Sequence, residues 1–313
     1  MNKASRSDSV RGGGGATGGR TTVVETTKKP VRQSVPLGKR LTSGRVYLGA
    51  LIVLVWGLGP FYWMVVTALR DPEYTFDNTP WPTHVTMENF RNAFDTSRGN
   101  DFGRALGNSV IIGLATTVVA LLIGIMAAYA LARLTFKGKY VVSGLILSAS
   151  MFPVVVLVTP LFQLFTDLGW IGHYQAMIIP NISFVLPMTV YILASFFTEL
   201  PWELEEAARI DGASRFQAFR LVMLPLAAPA VFTTAILAFI AAVNEYLLAR
   251  LLSSDKTEPV TVAVARFSGN NPLVQPYTAI MAAGTIVTIP LVIMVLLFQR
   301  RIISGLTAGG VKS

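Results

Sequence analysis

The sequence contains no cysteine and only two histidines, His84 and His173. The absence of cysteine excludes disulfide bonds, a thiolate nucleophile and cysteine-ligated metal sites. Neither histidine belongs to a spacing that is typical of a metal site, so we expect both to be surface or interfacial side chains and no metal to be bound. The serines beside the apolar segments have no histidine and carboxylate close to them in sequence, which leaves open only a catalytic triad assembled in space.

The sequence also lacks a phosphate-binding loop. No segment has the form Gly-x-x-x-x-Gly-Lys-Ser/Thr. The glycine run at 12–15 is not followed by lysine and lacks the strand and helix that such a loop needs. We therefore predict that the chain is not an enzyme and does not hydrolyse ATP itself.

Charged residues are scarce, at 14% of the chain, whereas hydrophobic residues make up 52%. This balance is unlike that of an average soluble domain. Six long stretches with few or no ionisable residues each hold the roughly 20 apolar residues that a bilayer-spanning helix needs. Because these runs are continuous, an alternating β-barrel is excluded, and we predict an all-α polytopic membrane protein with six transmembrane helices. Their approximate cores are 46–69, 107–132, 142–166, 174–198, 226–248 and 277–299.

The distribution of lysine and arginine predicts that both termini are cytoplasmic. With this orientation 19 of the 26 basic residues fall on inner segments and seven on outer loops, as the positive-inside rule requires. The ten that precede residue 46 carry less weight, because they lie in a long tail. Both histidines then fall in outer loops, and the segment 199–225 lies in the cytoplasm.

Residues 1–45 are rich in Gly, Ser, Thr, Lys and Arg and cannot bury enough apolar surface to fold alone. We expect a disordered basic tail, with weak attraction to anionic lipid as its only function. This tail and the inner loops explain much of the net charge of +9, so nucleic acid is not an expected partner. The first apolar segment begins too late to be a cleaved signal peptide. The predicted membrane domain is 46–304, followed by a C-terminal tail, 305–313.

The most informative charged stretch, 199–225, separates the fourth and fifth apolar segments. Pro201 suits the first position of a helix, and Gly212 can take the left-handed conformation that ends one. A helix between Pro201 and Gly212 is supported by negative charge near the positive end of its dipole. This charge is provided by Glu203, Glu205 and Glu206.

A second helix is predicted to follow directly. The sequence from Ser214 to Gln217 has the form of a capping box, so this helix should begin there and run to Pro225. Two capped helices in a short loop between membrane spans indicate a surface that a partner binds.

This loop resembles the EAA motif of bacterial ABC importer permeases. Glu206, Ala207 and Ala208 are followed by Gly212 and, after nine further residues, by 222–225 (Val-Met-Leu-Pro), which is the family's spacing. In that family the segment is a coupling helix that docks into a groove on a cytoplasmic ATPase subunit. The resemblance therefore implies that the ATPase contacts Glu206, Ala207, Ala208, Asp211, Gly212 and Ala213.

Further segments resemble the MalG-like subunit of maltose-type carbohydrate permeases. They are 128–133 with 136–138, then 244–248 and the C-terminal 305–312. The resemblance implies that part of the outer loop 253–275 contacts a sugar-binding protein. It also implies that the ATPase dimer contacts Gly305, Leu306, Thr307, Ala308, Gly309 and Gly310.

The resemblance implies that the chain is part of an ATP-driven sugar importer, which carries maltose, maltodextrin or trehalose by alternating access. The partners would be a MalF-like second permease, a homodimer of MalK-like ATPases and an extracytoplasmic sugar-binding protein in a bacterial cytoplasmic membrane. No cofactor would be bound by this chain, since ATP and Mg²⁺ belong to the ATPases. The alternative is an ion-coupled secondary transporter, but we find neither internal repeats nor intramembrane carboxylates apart from Glu245.

Four polar residues within the apolar segments are candidates for the sugar pathway: Asn244, Glu245, Gln163 and Asn181. Glu245 either lines the pathway or gate at the outer end of the fifth span, or is an interfacial residue satisfied by water or a helix end. The second interpretation is favoured. The amides offer hydrogen bonds to a sugar, but such groups also join neighbouring helices.

Overall fold

The computed structural model describes residues 37–98, 100–267 and 276–308, and in this part of the chain the structure is helical. An isolated antiparallel bridge between Arg70 and Val85 is the only β-pairing there. The α-helical class is therefore confirmed. The helices are α1 (Leu37–Ala68), α2 (Glu88–Ala93), α3 (Phe102–Arg133), α4 (Lys139–Ser150), α5 (Val154–Asp167), α6 (Tyr174–Glu199), α7 (Trp202–Ile210), α8 (Arg215–Ala218), α9 (Leu224–Val243), α10 (Leu247–Leu252), α11 (Val260–Ala265) and α12 (Tyr277–Ala308).

The chain divides into two compact units, Met1–Leu54 and Val55–Ser313. In the first unit, helix begins at Leu37, so the last residues of the segment predicted as a disordered tail are helical, and residues 1–36 lie outside the described residues. In the second unit, α12 runs without a break to Ala308. Residues 305–308, predicted to start a separate tail, therefore continue this helix, and Gly309 and Gly310 lie outside the described residues.

Five of the predicted membrane spans have helices that are long and apolar enough to cross a bilayer. The third predicted span, 142–166, is instead a broken helix, because α4 and α5 meet at an angle of 87°. Pro153 precedes α5 with an extended backbone, and a proline disfavours helical geometry at the residue before it. The five unbroken candidates are Gly44–Ala68, Phe102–Arg133, Tyr174–Glu199, Arg215–Val243 and Tyr277–Gln299.

The helix predicted to begin at the capping box and end at Pro225 instead continues into the fifth span, which therefore begins earlier than predicted. Arg215–Val243 is continuous, with a π-helical turn at Phe219–Met223 between α8 and α9. In this turn the Leu224 N–H donates to the carbonyl of Phe219, five residues earlier. Pro225 therefore lies at the start of the α9 register, where its missing N–H costs little.

Helices α3, α6 and α9 pack around a common core. Two glycines on α3 allow close approach: a Cβ atom at Gly124 would lie 2.6 Å from Cγ2 of Thr189 on α6, and one at Gly113 would lie 2.7 Å from the Phe239 ring on α9. Small residues at helix interfaces have this role in membrane bundles. The core at the α7 end consists of Ala128, Tyr129, Leu131, Val190, Leu193, Phe197, Phe219, Met223, Ala227 and Ala230.

The segment between α1 and α3 is ordered by the buried Arg70. Its guanidinium donates hydrogen bonds to the carbonyls of Asp77 and Thr79 and lies 5.0 Å from the centroid of the Trp63 ring. The Asn89 side-chain amide donates to the Ala68 and Arg70 carbonyls at 2.9 and 2.6 Å. Hydrogen bonds from Thr79 lower the pKa of the Asp77 carboxyl below its usual value.

Candidate functional site

The loop 199–225 contains a complete helix C-cap at the position predicted from Gly212. Gly212 has φ +93°, and its N–H donates to the Arg209 carbonyl at 3.1 Å. The Ala213 N–H donates to the Ala208 carbonyl at 3.0 Å. These two bonds together form a Schellman motif, so the carbonyls that end α7 are satisfied and the chain direction after it is fixed.

The second helix of the loop begins with the predicted capping box. The Gln217 N–H donates to Oγ of Ser214 at 3.3 Å, and the Ser214 N–H donates to Oε1 of Gln217 at 2.7 Å. At the start of α7, Pro201 occupies the N-cap, one residue before the predicted position. Since only Ala213 separates Gly212 from the capping box, the relative direction of α7 and α8 is set by local hydrogen bonds.

The outer face of this loop presents the EAA-like residues. Glu206, Ala207, Asp211 and Gly212 are exposed, and Ala208 and Ala213 are half-buried. Two apolar side chains that were not predicted from the sequence as site residues are also exposed here, Ile210 at 79% and Phe216 at 60%. The signal that could have identified them is their position beside charged residues in a loop between spans. An exposed apolar patch with a polar rim is typical of a protein-binding surface.

The inner face of α7 is held against the bundle by one buried carboxylate. The Tyr129 hydroxyl on α3 donates to Oε1 of Glu205 at 2.7 Å, and both side chains are buried. The Tyr129 ring packs against Phe219 at 4.6 Å and against Phe197 at 5.9 Å between ring centroids. The hydrogen bond thus joins α7 to the place where α3, α6 and the π-helical turn meet.

Arg133, at the end of α3, makes a second contact at this junction. Its guanidinium donates to the Leu200 carbonyl and lies 5.4 Å from the centroid of the Trp202 ring. Arg133 is buried. Tyr129 and Arg133 both belong to the segment 128–133 that carried the family resemblance, but sequence reasoning gave neither of them a role.

The structure brings three of the four pathway candidates to one cavity. Asn181, Asn244 and Glu245 line a cavity of about 290 Å³ between α6 and the end of α9, with mostly apolar neighbours. Gln163 lies outside this cavity, exposed on α5. The Glu245 carboxylate accepts hydrogen bonds from the N–H groups of Leu248 at 2.8 Å and Ala249 at 2.9 Å, so it caps the start of α10 as well as lining the cavity.

At the N-terminal end of α3, the buried Asn108 holds the loop between α10 and α11. Its side-chain amide donates to the Lys256 carbonyl at 3.1 Å and the Glu258 carbonyl at 2.9 Å, and its Oδ1 accepts from the Tyr174 hydroxyl at 2.7 Å. Arg266, directly after α11, pairs with Asp255 and Glu258 of this loop. Hydrogen bonds from Arg266 to these carboxylates raise the pKa of its guanidinium. The predicted exposed tip at 268–272 lies outside the described residues.

The two histidines lie in different segments, His84 between α1 and α2 and His173 between α5 and α6. His84 stacks on Tyr74 with ring centroids 4.0 Å apart, and His173 precedes α6. Within residues 37–98, 100–267 and 276–308 no group of three His, Cys, Asp or Glu side chains is arranged to hold a metal.

Comparison with known proteins places these features in context. A family model described as "Binding-protein-dependent transport system inner membrane component" matches residues 120–307. The chain is 45% identical over 277 residues to the trehalose transport system permease protein SugB of Mycobacterium tuberculosis, covering 88% of this chain and 100% of that protein. It is 42% identical over 268 residues to the trehalose/maltose transport system permease protein MalG of Thermococcus litoralis, covering 85% and 95%.

The fold matches a solved transporter. A crystal structure of a bacterial ABC transporter involved in the import of the acidic polysaccharide alginate contains a chain that is similar with a TM-score of 0.69. The match covers 85% of this chain and 98% of that chain, at 20% sequence identity. At this identity the similarity concerns the fold alone.

Proposed function

Because the chain belongs to the family of binding-protein-dependent transport system inner membrane components, we propose that it is a permease subunit of an ATP-driven sugar importer in a bacterial cytoplasmic membrane. Membership of this family identifies the chain as a transport component and not an enzyme. The fold match to a chain of an ABC transporter favours this proposal over the ion-coupled secondary transporter considered above.

The proposed substrate is trehalose, maltose or a maltodextrin. Identities of 45% and 42% to permeases of trehalose and of trehalose/maltose transport systems support this class. The cavity beside Asn181, Asn244 and Glu245 is our proposed half of the pathway. Two amides and a carboxylate in a mostly apolar wall provide hydrogen bonds for a polar cargo.

The geometry of the loop from α7 to α8 supports a cytoplasmic ATPase as the partner. A Schellman motif and a capping box fix the two helices, while Glu206, Ala207 and the apolar Ile210 and Phe216 face outward. A preorganised surface of this kind binds a partner without first being ordered, which lowers the cost of association. The proposed partner is a homodimer of MalK-like ATPases at the cytoplasmic end of the bundle.

The proposed mechanism is alternating access driven by that dimer. When ATP closes the dimer, α7 and α8 move with it, and the continuous helix Arg215–Val243 passes this displacement to the core of α3, α6 and α9. The cavity then opens outward to receive sugar from the binding protein. Docking alone would not shift the equilibrium between the inward-open and outward-open states. The ATPase must contact the loop differently in these two states.

Two further contacts complete the proposed assembly. A MalF-like permease is proposed to cover apolar surface such as that of α4, which has no buried residue in this chain. The end of α12, residues 305–308, is proposed as a second contact with the ATPases, and Gly309 and Gly310 extend the prediction beyond the described residues.

The test is uptake of radiolabelled trehalose and maltose by proteoliposomes that contain the chain with its second permease and ATPases. Uptake is expected to require internal ATP and external binding protein and to be insensitive to ionophores. Uptake that persists without ATP and disappears with ionophores would overturn the proposal in favour of ion coupling. A panel of sugars titrated against the binding protein would then distinguish trehalose from maltose as the cargo.

A further inference from the structure

The helix α7 contains three glutamates in different surroundings. Glu203 and Glu206 are exposed, whereas Glu205 is buried against the end of α3. A negative charge in the first turn of a helix is favourable next to the positive end of the dipole. The exposed Glu203 meets this need without being desolvated, so stabilisation of the helix does not explain why a carboxylate at position 205 is buried.

The contact made by Glu205 is specific and reaches across the fold. Within the described part of the chain, its hydrogen bond with the Tyr129 hydroxyl is the only one that joins α7 to α3. Tyr129 is itself fixed, because its ring packs between Phe197 on α6 and Phe219 in the π-helical turn. The acceptor on α7 is thus connected to a donor that three core elements hold in position.

Buried polar groups at this junction retain unused hydrogen-bonding capacity. Oε2 of Glu205 and Nε of Arg133 are buried and have no hydrogen-bond partner. Buried polar atoms in a purely structural contact are normally satisfied, and exceptions call for another explanation. One such explanation is that these groups must stay in contact while α7 is displaced. Unused donors and acceptors would let them form a different set of hydrogen bonds after the displacement.

We propose that Tyr129 and Glu205 are positioning residues that hold α7 on α3, so that a displacement of α7 by the ATPase moves the spans instead of being absorbed at the junction. The inference rests on the proposed function, because it requires an ATPase at the outer face of α7. Neither residue contacts the ATPase or the sugar in this account. Their effect is on how much transport each ATP produces.

The experiment measures sugar imported per ATP hydrolysed in proteoliposomes of the complete assembly, normalised to the amount of assembled complex. Tyr129→Phe removes the hydroxyl and keeps the ring, and is expected to lower this ratio roughly three- to tenfold, the factor that one hydrogen bond represents. Glu205→Ala should lower the ratio to the same degree. Glu205→Gln keeps an acceptor oxygen and should restore most of the coupling.

A double variant and a matched control separate positioning from general damage. Tyr129→Phe with Glu205→Ala should be no worse than either alone, because both remove the same interaction. Tyr191→Phe, the same substitution at an exposed position on α6, should keep the ratio of the unmodified chain. A purely structural role would lower the amount of assembled complex and leave the ratio unchanged.

The outcomes distinguish this inference from the proposed function. An unmodified assembly that shows no ATP-driven sugar uptake contradicts the proposed function before any variant is compared. An unmodified assembly that imports sugar, together with a Tyr129→Phe ratio equal to its own or with additive effects in the double variant, overturns the positioning role alone.

Discussion

Among single residues, Gly124 sets how closely α3 and α6 approach. A Cβ atom there would lie 2.6 Å from Cγ2 of the buried Thr189, closer than real atoms pack. We expect Gly124→Ala to destabilise the detergent-solubilised protein by about 1–3 kcal/mol, the usual cost of overpacking. The midpoint of thermal unfolding measures this change. Gly107→Ala on the same helix is the control, because nothing lies within 4 Å of its added atom. Equal midpoints for the two variants would contradict this account of the α3–α6 contact.

Gly212 has a backbone conformation that proline cannot adopt. Its φ of +93° is far from the proline value near −65°, and its N–H donates to Arg209. Gly212→Pro is expected to abolish sugar uptake and the stimulation of ATPase activity by sugar-loaded binding protein, while membrane insertion is retained. Both activities are measured per amount of inserted protein.

Gly169 provides a matched control for that substitution. It ends α5 with the same pair of hydrogen bonds, from Gly169 to Thr166 and from Trp170 to Phe165, and also has positive φ. Gly169→Pro should leave stimulated ATPase activity above half of its original level. If both variants lose it equally, the loss reflects general backbone damage, and the α7 loop has no special role.

At the scale of elements, the loop between α10 and α11 depends on α3 for its position. Replacing Asn108 by Leu removes two donors to loop carbonyls and the acceptor of Tyr174. Each lost bond weakens the loop by about 1 kcal/mol, so amide exchange at 253–259 should accelerate roughly tenfold or more. Exchange followed by mass spectrometry checks this expectation.

Thr166→Val, which removes an exposed hydrogen bond on α5, should leave exchange in this loop unchanged. Unchanged exchange in Asn108→Leu would show that other contacts hold the loop.

Most spans could be predicted from sequence because charged residues mark where apolar runs end. Arg133 and Glu199 end α3 and α6 in this way. Proline was a poorer guide, since Pro153 lies at a break of 87° whereas Pro225 lies within a continuous helix. The difference arises from the π-helical turn before Pro225, which changes the hydrogen-bond register and has no evident signal in the sequence.

The same contrast applies to the candidate site. The left-handed helix end at Gly212 and the capping box at Ser214 depend on neighbours within five residues, so the sequence was sufficient to predict them. The Tyr129–Glu205 hydrogen bond joins residues 76 positions apart. No periodicity or cap relates such distant residues, and only the packing of α3 against α7 brings them together.

At the scale of the whole molecule, the two ends of α3 have different proposed roles. Its N-terminal end, with Asn108, positions a loop proposed to meet the binding protein. Its C-terminal end, with Tyr129, positions the helix proposed to meet the ATPase. The proposed pathway cavity is lined mainly by α6 and α9, and both of these helices pack against α3.

Site-specific cross-linking from the loop from α7 to α8 identifies the partner that binds this surface. Because the chain has no cysteine, Ile210→Cys and Phe76→Cys each create a single attachment site for a photoreactive probe, and both positions are highly exposed apolar side chains. The unmodified chain, treated identically within the assembly, gives the background. We predict that the probe at 210 cross-links this chain to the ATPase and that the probe at 76 does not. Cross-linking of 210 to the sugar-binding protein, or of neither position to the ATPase in an assembly that imports sugar, would contradict it.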